Sequence, residues 1–316
     1  MPKISREDIH LINAHGNWSE DELSAVLRRH VYPDPNNWKR FILLLLLATG
    51  VGFTSVGMVY YLALNWNGLH KFLKLGLLEL MIVLSLVIPM LPRLKTEVRK
   101  IISSAAPILI GALFLVYGKI YQAPALEYYF FLQWLLFSTL WVLLSDFPPL
   151  WLLYLSLLHA TLISYINQVQ NYSSQSAIFL FLSAVDCALF ILCSTLTKGR
   201  IMSIPQWFMH CVAVAAATFA TVGISIGIHL KPDLEFALLC GGTLISFAIG
   251  LKTAVQQKSM FFLSLIALSS IIVASSLLLK ISNSQYMLLL IGLFIVLGMT
   301  AVIWLLIHMQ KKDANG

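Results

Sequence analysis

Two ionisable residues lie deep within long apolar runs, where a charge is costly. Asp186 is about nine residues into the run 177–196, and His159 lies at a similar depth in the run 149–166. A charge at the centre of a bilayer costs about 2.5–3.5 kcal/mol on insertion scales, and an unperturbed imidazole titrates near neutral pH. The two side chains could therefore form a proton relay. Alternatively, they could bond to each other, or to Ser and Thr hydroxyls, and join adjacent helices.

A second group of polar and aromatic residues falls at one common depth near the ends of other apolar runs. Glu79 lies about eight residues into its run and Gln133 about six, while Lys119 lies at the end of a third run. Glu79 and Lys119 could form an ion pair, and the group could line a pocket that opens outward. This candidate polar site consists of Glu79, Lys119, Asn65, Trp66, His70, Tyr121, Gln122 and Gln133.

The same residues also fit an explanation that needs no site. Lysines near helix ends extend to the lipid headgroups, and tryptophan and tyrosine form belts at the membrane surface. Glu79 could then pair with a lysine only to hold two helices together. A belt does not require Asn65, Gln122 or Gln133, and these three residues favour the pocket.

The sequence lacks the motifs that would indicate a familiar catalytic site. It contains no Walker A loop, no HExxH, no GxSxG and no GxGxxG after a strand. Its four cysteines lie in apolar runs without CxxC spacing, which is typical of small core residues rather than of disulfides or a zinc site. We therefore predict no catalytic residue, cofactor or metal. The cysteines are Cys187, Cys193, Cys211 and Cys240.

The elements that position these residues follow from the composition. Of the 316 residues, 59% are hydrophobic and 11% are charged, whereas an ordinary soluble domain carries about 25% charged residues. Apolar runs of about 18 residues or more recur, and the alternating segments of a β-barrel are absent. We predict an all-α polytopic membrane protein whose partner is the lipid bilayer and not nucleic acid, despite a formal charge of +7.

Ten membrane spans are predicted along the chain. The eighth is the shortest and contains Gly241 and Gly242, which leaves open whether it crosses as one straight helix. Pro107 predicts a kink in the third span. The spans are approximately Phe41–Leu64, Phe72–Leu91, Ile101–Ile120, Tyr128–Leu144, Pro149–Ile166, Ala177–Leu196, Trp207–His229, Phe236–Leu251, Met260–Leu279 and Tyr286–His308.

The distribution of basic residues predicts the orientation. If the N-terminus is cytoplasmic, five of the 21 lysines and arginines fall at the outer side, and the other sixteen (21 − 5) fall at the inner side. This is a strong positive-inside bias, so both termini are predicted to be cytoplasmic. The outer five are Lys71, Lys74, Lys119, Lys231 and Lys280.

The polar N-terminal stretch predicts a small helical hairpin without a cleavable signal peptide. A capping-box pattern begins at Ser19 with Glu22 three residues on. The predicted organisation is a cytoplasmic hairpin (1–40), spans one to five with the polar group (41–167), a small-residue-rich packing half (168–308) and a cytoplasmic tail (309–316).

Three stretches resemble a family of bacterial membrane proteins, domain of unknown function 2157. They are "GNWSEDELSAVLRRH", "GVGFTSVGMVYYLALNWNGLHKFLKLGLLE" and "LIGALFLVYGKIYQAPALEYYFFLQWLLFS", and the resemblance covers roughly residues 16–165. The family's Asn-Trp pair maps to Asn65 and Trp66, and its Gly-x-x-Tyr-Gln element to Gly118, Tyr121 and Gln122. Lys119 departs from the uncharged residue expected there. The resemblance implies a bacterial inner-membrane location and no established activity.

Three functions remain compatible with these features. The first is a non-catalytic component of envelope assembly or signalling that binds another membrane protein. The second is a secondary transporter or small-solute permease with the outward-facing polar pocket, although no persuasive internal repeat is visible. The third is an intramembrane enzyme acting on a lipid-linked substrate, with Glu79 or His159 as acid or base.

Overall fold

The computed structural model describes residues 22, 26, 35–64, 68–122, 127–145, 147–169, 175–199, 204–231, 233–256, 259–281 and 285–314. Almost all of the predicted N-terminal hairpin lies outside these residues, as do Asn65 and Trp66. Of the described residues, 93% are helical and none lies in a strand, which confirms the all-α prediction.

The helices follow one another with short connections, because almost every apolar run is long enough to form one helix. A 3₁₀ turn (Ile88–Met90) extends the second helix. The helices are α1 (Pro35–Leu64), α2 (Lys71–Val87), α3 (Thr96–Ser103), α4 (Ala105–Tyr121), α5 (Glu127–Ser145), α6 (Pro148–Val169), α7 (Gln175–Lys198), α8 (Gln206–His229), α9 (Leu234–Gln256), α10 (Met260–Ile281) and α11 (Gln285–Ala314).

Within the described ranges, ten helical segments are long and apolar enough to cross a membrane. They coincide with the ten predicted spans, so the prediction of a multi-pass membrane protein is confirmed. The eighth span is the single helix α9 of 23 residues, which runs through Gly241 and Gly242 without interruption. Length and composition do not fix the direction of crossing, so the orientation stays a prediction.

The third span (Thr96–Tyr121) is interrupted between α3 and α4 at Ser104. Pro107 follows three residues later, and its ring excludes a helical hydrogen bond to the carbonyl of Ser103. Within the same turn, the Ser104 hydroxyl donates to the Ile101 carbonyl at 2.6 Å. The structure therefore shows an interruption where Pro107 predicts a kink.

The chain divides into two compact units. Unit 1 comprises Met1–Pro124 and Leu143–Ser145, and unit 2 comprises Ala125–Val142 and Asp146–Gly316. In unit 1, α4 packs on α2 and α1 around a core that includes Leu62, Leu78 and Leu109. The four domains predicted from the sequence have different boundaries from these units, and they stay a prediction.

Unit 2 is organised around α8, which packs on α7, α9, α10 and α6. A Cβ atom added at Gly223 would lie 2.4 Å from the Cβ of Phe179, and one at Gly227 would lie 2.3 Å from the ring of Phe236. Small residues four positions apart let helices approach this closely. The small-residue run Val212–Ile228 therefore has a clear packing role at these two positions.

Candidate functional site

His159 and Asp186 are brought together within unit 2. His159 is the twelfth residue of α6 and Asp186 the twelfth of α7, so each lies at the middle of its helix. The distance from His159 Nε2 to Asp186 Oδ1 is 3.0 Å. Asp186 is fully buried and His159 is 8% exposed. The pair is thus a buried polar contact between two otherwise apolar helices.

A third helix encloses the imidazole of His159. The ring of Phe219, on α8, lies 4.9 Å from that of His159 between centroids and is tilted by 53°. The second carboxylate oxygen of Asp186, Oδ2, is buried and has no hydrogen-bond partner in the described part of the chain. A buried carboxylate oxygen without a donor is costly, so the contact of Oδ1 with His159 satisfies only part of this side chain.

Imidazole Nε2 and carboxylate Oδ1 at this distance share one proton in a hydrogen bond, whichever of the two groups is the donor. A proton can therefore pass between the two side chains. The same contact also holds α6 against α7. Within the described ranges, no group of three or more His, Cys, Asp or Glu side chains is placed to hold a metal ion.

Six of the eight residues of the candidate polar site lie in the described part of the chain. Glu79, in the middle of α2, and Lys119, near the end of α4, are both exposed. His70 precedes α2 and its ring lies 5.4 Å from that of Phe72. Gln133 is exposed on α5 in the part of the chain that belongs to unit 2.

Tyr121 and Gln122 end helix α4. The ring of Tyr121 packs on that of Tyr117 at 4.6 Å. Gln122 adopts a left-handed conformation with φ 46° and ψ 39°, and its N–H donates to the Gly118 carbonyl. Glycine usually occupies such a helix-ending position, because other residues are strained there. Gly118 and Gln122 of the family element are therefore joined by a backbone bond.

Other polar contacts of unit 2 join α5 to α6. The hydroxyls of Thr139 and Tyr154 lie 3.1 Å apart. The N–H of Tyr128 donates to the side-chain oxygen of Gln168 at 3.2 Å. These residues lie at two depths along the helices, so α5 is held to α6 at more than one level. Neither contact was predicted from the sequence.

An apolar pocket of about 260 Å³ lies beside α6, α7 and the beginning of α8. His159 and Asp186 do not contribute to its lining. Its walls are suited to apolar groups rather than to charged solutes. The lining residues are Pro148, Trp151, Tyr154, Leu155, Leu158, Leu189, Leu192, Cys193, Leu196, Ile204, Pro205 and Phe208.

Two basic side chains of unit 1 make contacts that sequence reasoning missed. Arg40, at the start of α1, forms an ion pair with Glu97 in the first turn of α3. Arg99 Nη2 donates to the Leu91 carbonyl at 3.0 Å. In the sequence, Arg40 comes just before the first predicted span and Glu97 just before the third, and these positions were the available indication of the ion pair. Their pairing depends on how α1 and α3 pack.

The comparisons with known proteins agree with the resemblance seen in the sequence, over a slightly shorter range. No curated protein and no solved structure matches the chain. Residues 16–151, which include α1 to α5 of the described helices, match the model of a family described as "Predicted membrane protein (DUF2157)".

Proposed function

We propose that this chain is a non-catalytic component of the bacterial inner membrane that acts in envelope assembly or signalling by binding another membrane protein. The observation that carries the proposal is the small buried share of three spans. Only 6% of the most apolar window of α1, of α9 and of α11 is buried within the chain. Helices held by so few internal contacts have wide sides on which a partner helix can pack.

Helix α11 offers the clearest test. It packs on α10 within unit 2, with Ile291 buried at 6% exposure. Leu289, Leu293 and Val296 are 74%, 55% and 61% exposed. Their spacing places them together on the face opposite Ile291, because residues four and three apart share one side of a helix. A partner helix would meet this face.

The experiment places a photoreactive amino acid at single positions of α11 in the full-length protein and irradiates intact cells. A specific partner gives one protein adduct of constant size from 289, 293 and 296. It gives none from exposed positions on the flank, such as Leu290. Equal labelling at all exposed positions, or adducts with lipid alone, would overturn the proposal. Position 291, which faces the chain's own interior, serves as the background control.

The second candidate function is a proton-coupled transporter, and one observation favours it. Asp186 Oδ2 is buried at the middle of a span and has no hydrogen-bond partner among the described residues. Ionisable residues at this depth commonly belong to proton pathways. In a transporter, Asp186 Oδ2 would bind and release a proton in each transport cycle. In an assembly component, the His159–Asp186 pair would only hold α6 on α7.

Proton flux in reconstituted vesicles separates the two candidates. We expect Asp186→Asn and His159→Gln to lower the unfolding temperature and to leave the proton permeability of the vesicles at the wild-type level. Ser156→Ala is the matched control, because Ser156 is exposed on the same helix and bonds only within it, to the Leu152 carbonyl at 2.9 Å. A wild-type proton flux that both pair variants abolish would replace the first proposal with the transporter.

A further inference from the structure

One end of unit 1 combines six basic side chains with exposed apolar ones. The cluster begins at α1, continues through the turn after α2 and ends on α3, all at the ends of membrane spans. Glu97 is the one acidic residue in the described segments 38–41 and 88–104. We name this set the basic cluster, and it consists of Lys39, Arg40, Arg93, Lys95, Arg99 and Lys100.

Contacts in the structure hold the basic cluster together. The ion pair of Arg40 with Glu97 fixes the beginning of α1 beside α3, and the two helices pack on each other. The bond from Arg99 to the Leu91 carbonyl fixes α3 to the turn that contains Arg93 and Lys95. The turn itself is closed by the bond from the Leu94 N–H to the Leu91 carbonyl at 3.3 Å.

The described basic side chains of the cluster outnumber its described acidic residue. Arg40 pairs with Glu97, and Arg93 and Lys95 are both exposed. Positive charges at the ends of membrane spans attract anions, and each contributes about 5-fold to the affinity for an anionic membrane surface.

The apolar neighbours of the cluster indicate that its ligand also has hydrocarbon chains. Trp38, Met90 and Leu91 are 58%, 79% and 53% exposed. The rings of Trp38 and Phe41 stack at 5.5 Å between centroids, as expected for an aromatic anchor at the membrane surface. A free anion would gain nothing from these side chains, whereas a lipid would contact them with its acyl chains.

We propose that the basic cluster of unit 1 is a binding site for an anionic phospholipid. Its phosphate lies against Arg93, Lys95 and Arg99, and its acyl chains lie along Met90 and Leu91. The site requires only that this end of the unit lies at a headgroup layer, so it holds for either orientation of the chain. It does not depend on the partner-binding function proposed above.

The test measures lipid binding to the full-length protein by native mass spectrometry and by thermal unfolding in lipid discs. Phosphatidylglycerol is titrated into phosphatidylcholine discs that hold wild-type protein or the double variant Arg93→Gln/Lys95→Gln. The matched control, Lys231→Gln/Lys280→Gln, removes two exposed positive charges from unit 2. A third sample exposes the wild-type protein to inorganic phosphate instead of the anionic lipid.

We expect the cluster variant to bind phosphatidylglycerol about 30-fold more weakly, since each charge contributes about 5-fold. The control should change by less than about 2-fold, and Arg93→Lys/Lys95→Arg should bind like the wild type. An equal loss in the cluster variant and the control would overturn the proposal, because the effect would then follow net charge alone. Stabilisation by inorganic phosphate equal to that by the lipid would overturn it in favour of a free-anion site.

Discussion

Each side chain of the His159–Asp186 pair is buried in an apolar helix, and neither could be placed there alone at low cost. The 3.0 Å contact between Nε2 and Oδ1 supplies each with a partner. Breaking a buried pair by removing one member leaves the other unsatisfied. The energetic role of the pair therefore lies in the coupling between the two residues rather than in either one.

A double-mutant cycle measures this coupling. We expect His159→Leu and Asp186→Leu each to lower the free energy of unfolding, and the double variant to lose less than the sum of the two. The coupling energy should be about 0.6 kcal/mol or more, up to about 1.7 kcal/mol, as in double-mutant cycles of hydrogen bonds between membrane helices. Thermal or denaturant unfolding in detergent provides the measurement. Strictly additive losses would show that the two side chains do not act as a pair.

The backbone of Gln122 provides a second prediction for a single residue. At φ 46° a side chain other than glycine is strained, by about 1–2 kcal/mol. Gln122→Gly should therefore stabilise unit 1 by about 1 kcal/mol, seen as a higher unfolding temperature. Gln122→Ala should give no gain, because alanine keeps the Cβ that causes the strain. A loss of stability in the glycine variant would mean that the amide side chain contributes more than the strain costs.

At the scale of elements, the packing of α8 decides the shape of unit 2. Gly223 and Gly227 share one face of the helix and bring it against α7 and α9. The obstruction at each position differs in kind. The Cβ of Phe179 is fixed to the backbone of α7, whereas the ring of Phe236 is the far end of a side chain. The two glycines should therefore differ in how their substitution can be rescued.

We expect Gly223→Ala and Gly227→Ala each to destabilise the protein by about 1–3 kcal/mol, the usual cost of overpacking. Phe236→Ala should restore stability to the Gly227 variant, because it removes the obstructing ring. Phe179→Ala should not restore the Gly223 variant, because alanine retains the obstructing Cβ. Gly241→Ala is the control, since a Cβ there meets nothing within 4 Å. The stability of all five variants is measured from circular dichroism melting curves. If the phenylalanine substitutions restored both glycine variants, or neither of them, the result would contradict this packing.

At the scale of the whole molecule, ten described helices are long and apolar enough to cross a membrane, but their length and composition do not fix the direction of crossing. The direction rests on the sixteen basic residues predicted for one side against five for the other. Because lysine and arginine resist transfer across the membrane, this bias predicts that the turn after α2 is cytoplasmic and that the turn after α8 faces outward.

Cysteine labelling tests this orientation in intact cells. In a chain whose four cysteines are replaced, we expect Lys231→Cys to react with a membrane-impermeant maleimide added from outside. Lys95→Cys should react only after the membrane is made permeable. Both lysines are exposed, so access depends on the side of the membrane rather than on burial. The opposite labelling pattern would invert the predicted orientation of the whole chain.

The sequence alone determined the fold class and the number of spans. Apolar runs of this length form helices because no other structure satisfies the backbone of each segment within a bilayer. It also determined that Pro107 would disturb the third span, because its missing N–H is a local property. It pointed to His159 and Asp186, since depth in a run can be counted along the chain.

Only the tertiary structure decided which of the marked residues meet. His159 contacts Asp186 because α6 and α7 pack at that register, whereas Glu79 and Lys119 remain exposed on α2 and α4. The pairing of Arg40 with Glu97 and the close approaches at Gly223 and Gly227 likewise follow from helix packing. The rotation and register of neighbouring helices depend on many weak contacts between distant residues, and no single stretch of sequence contains that information.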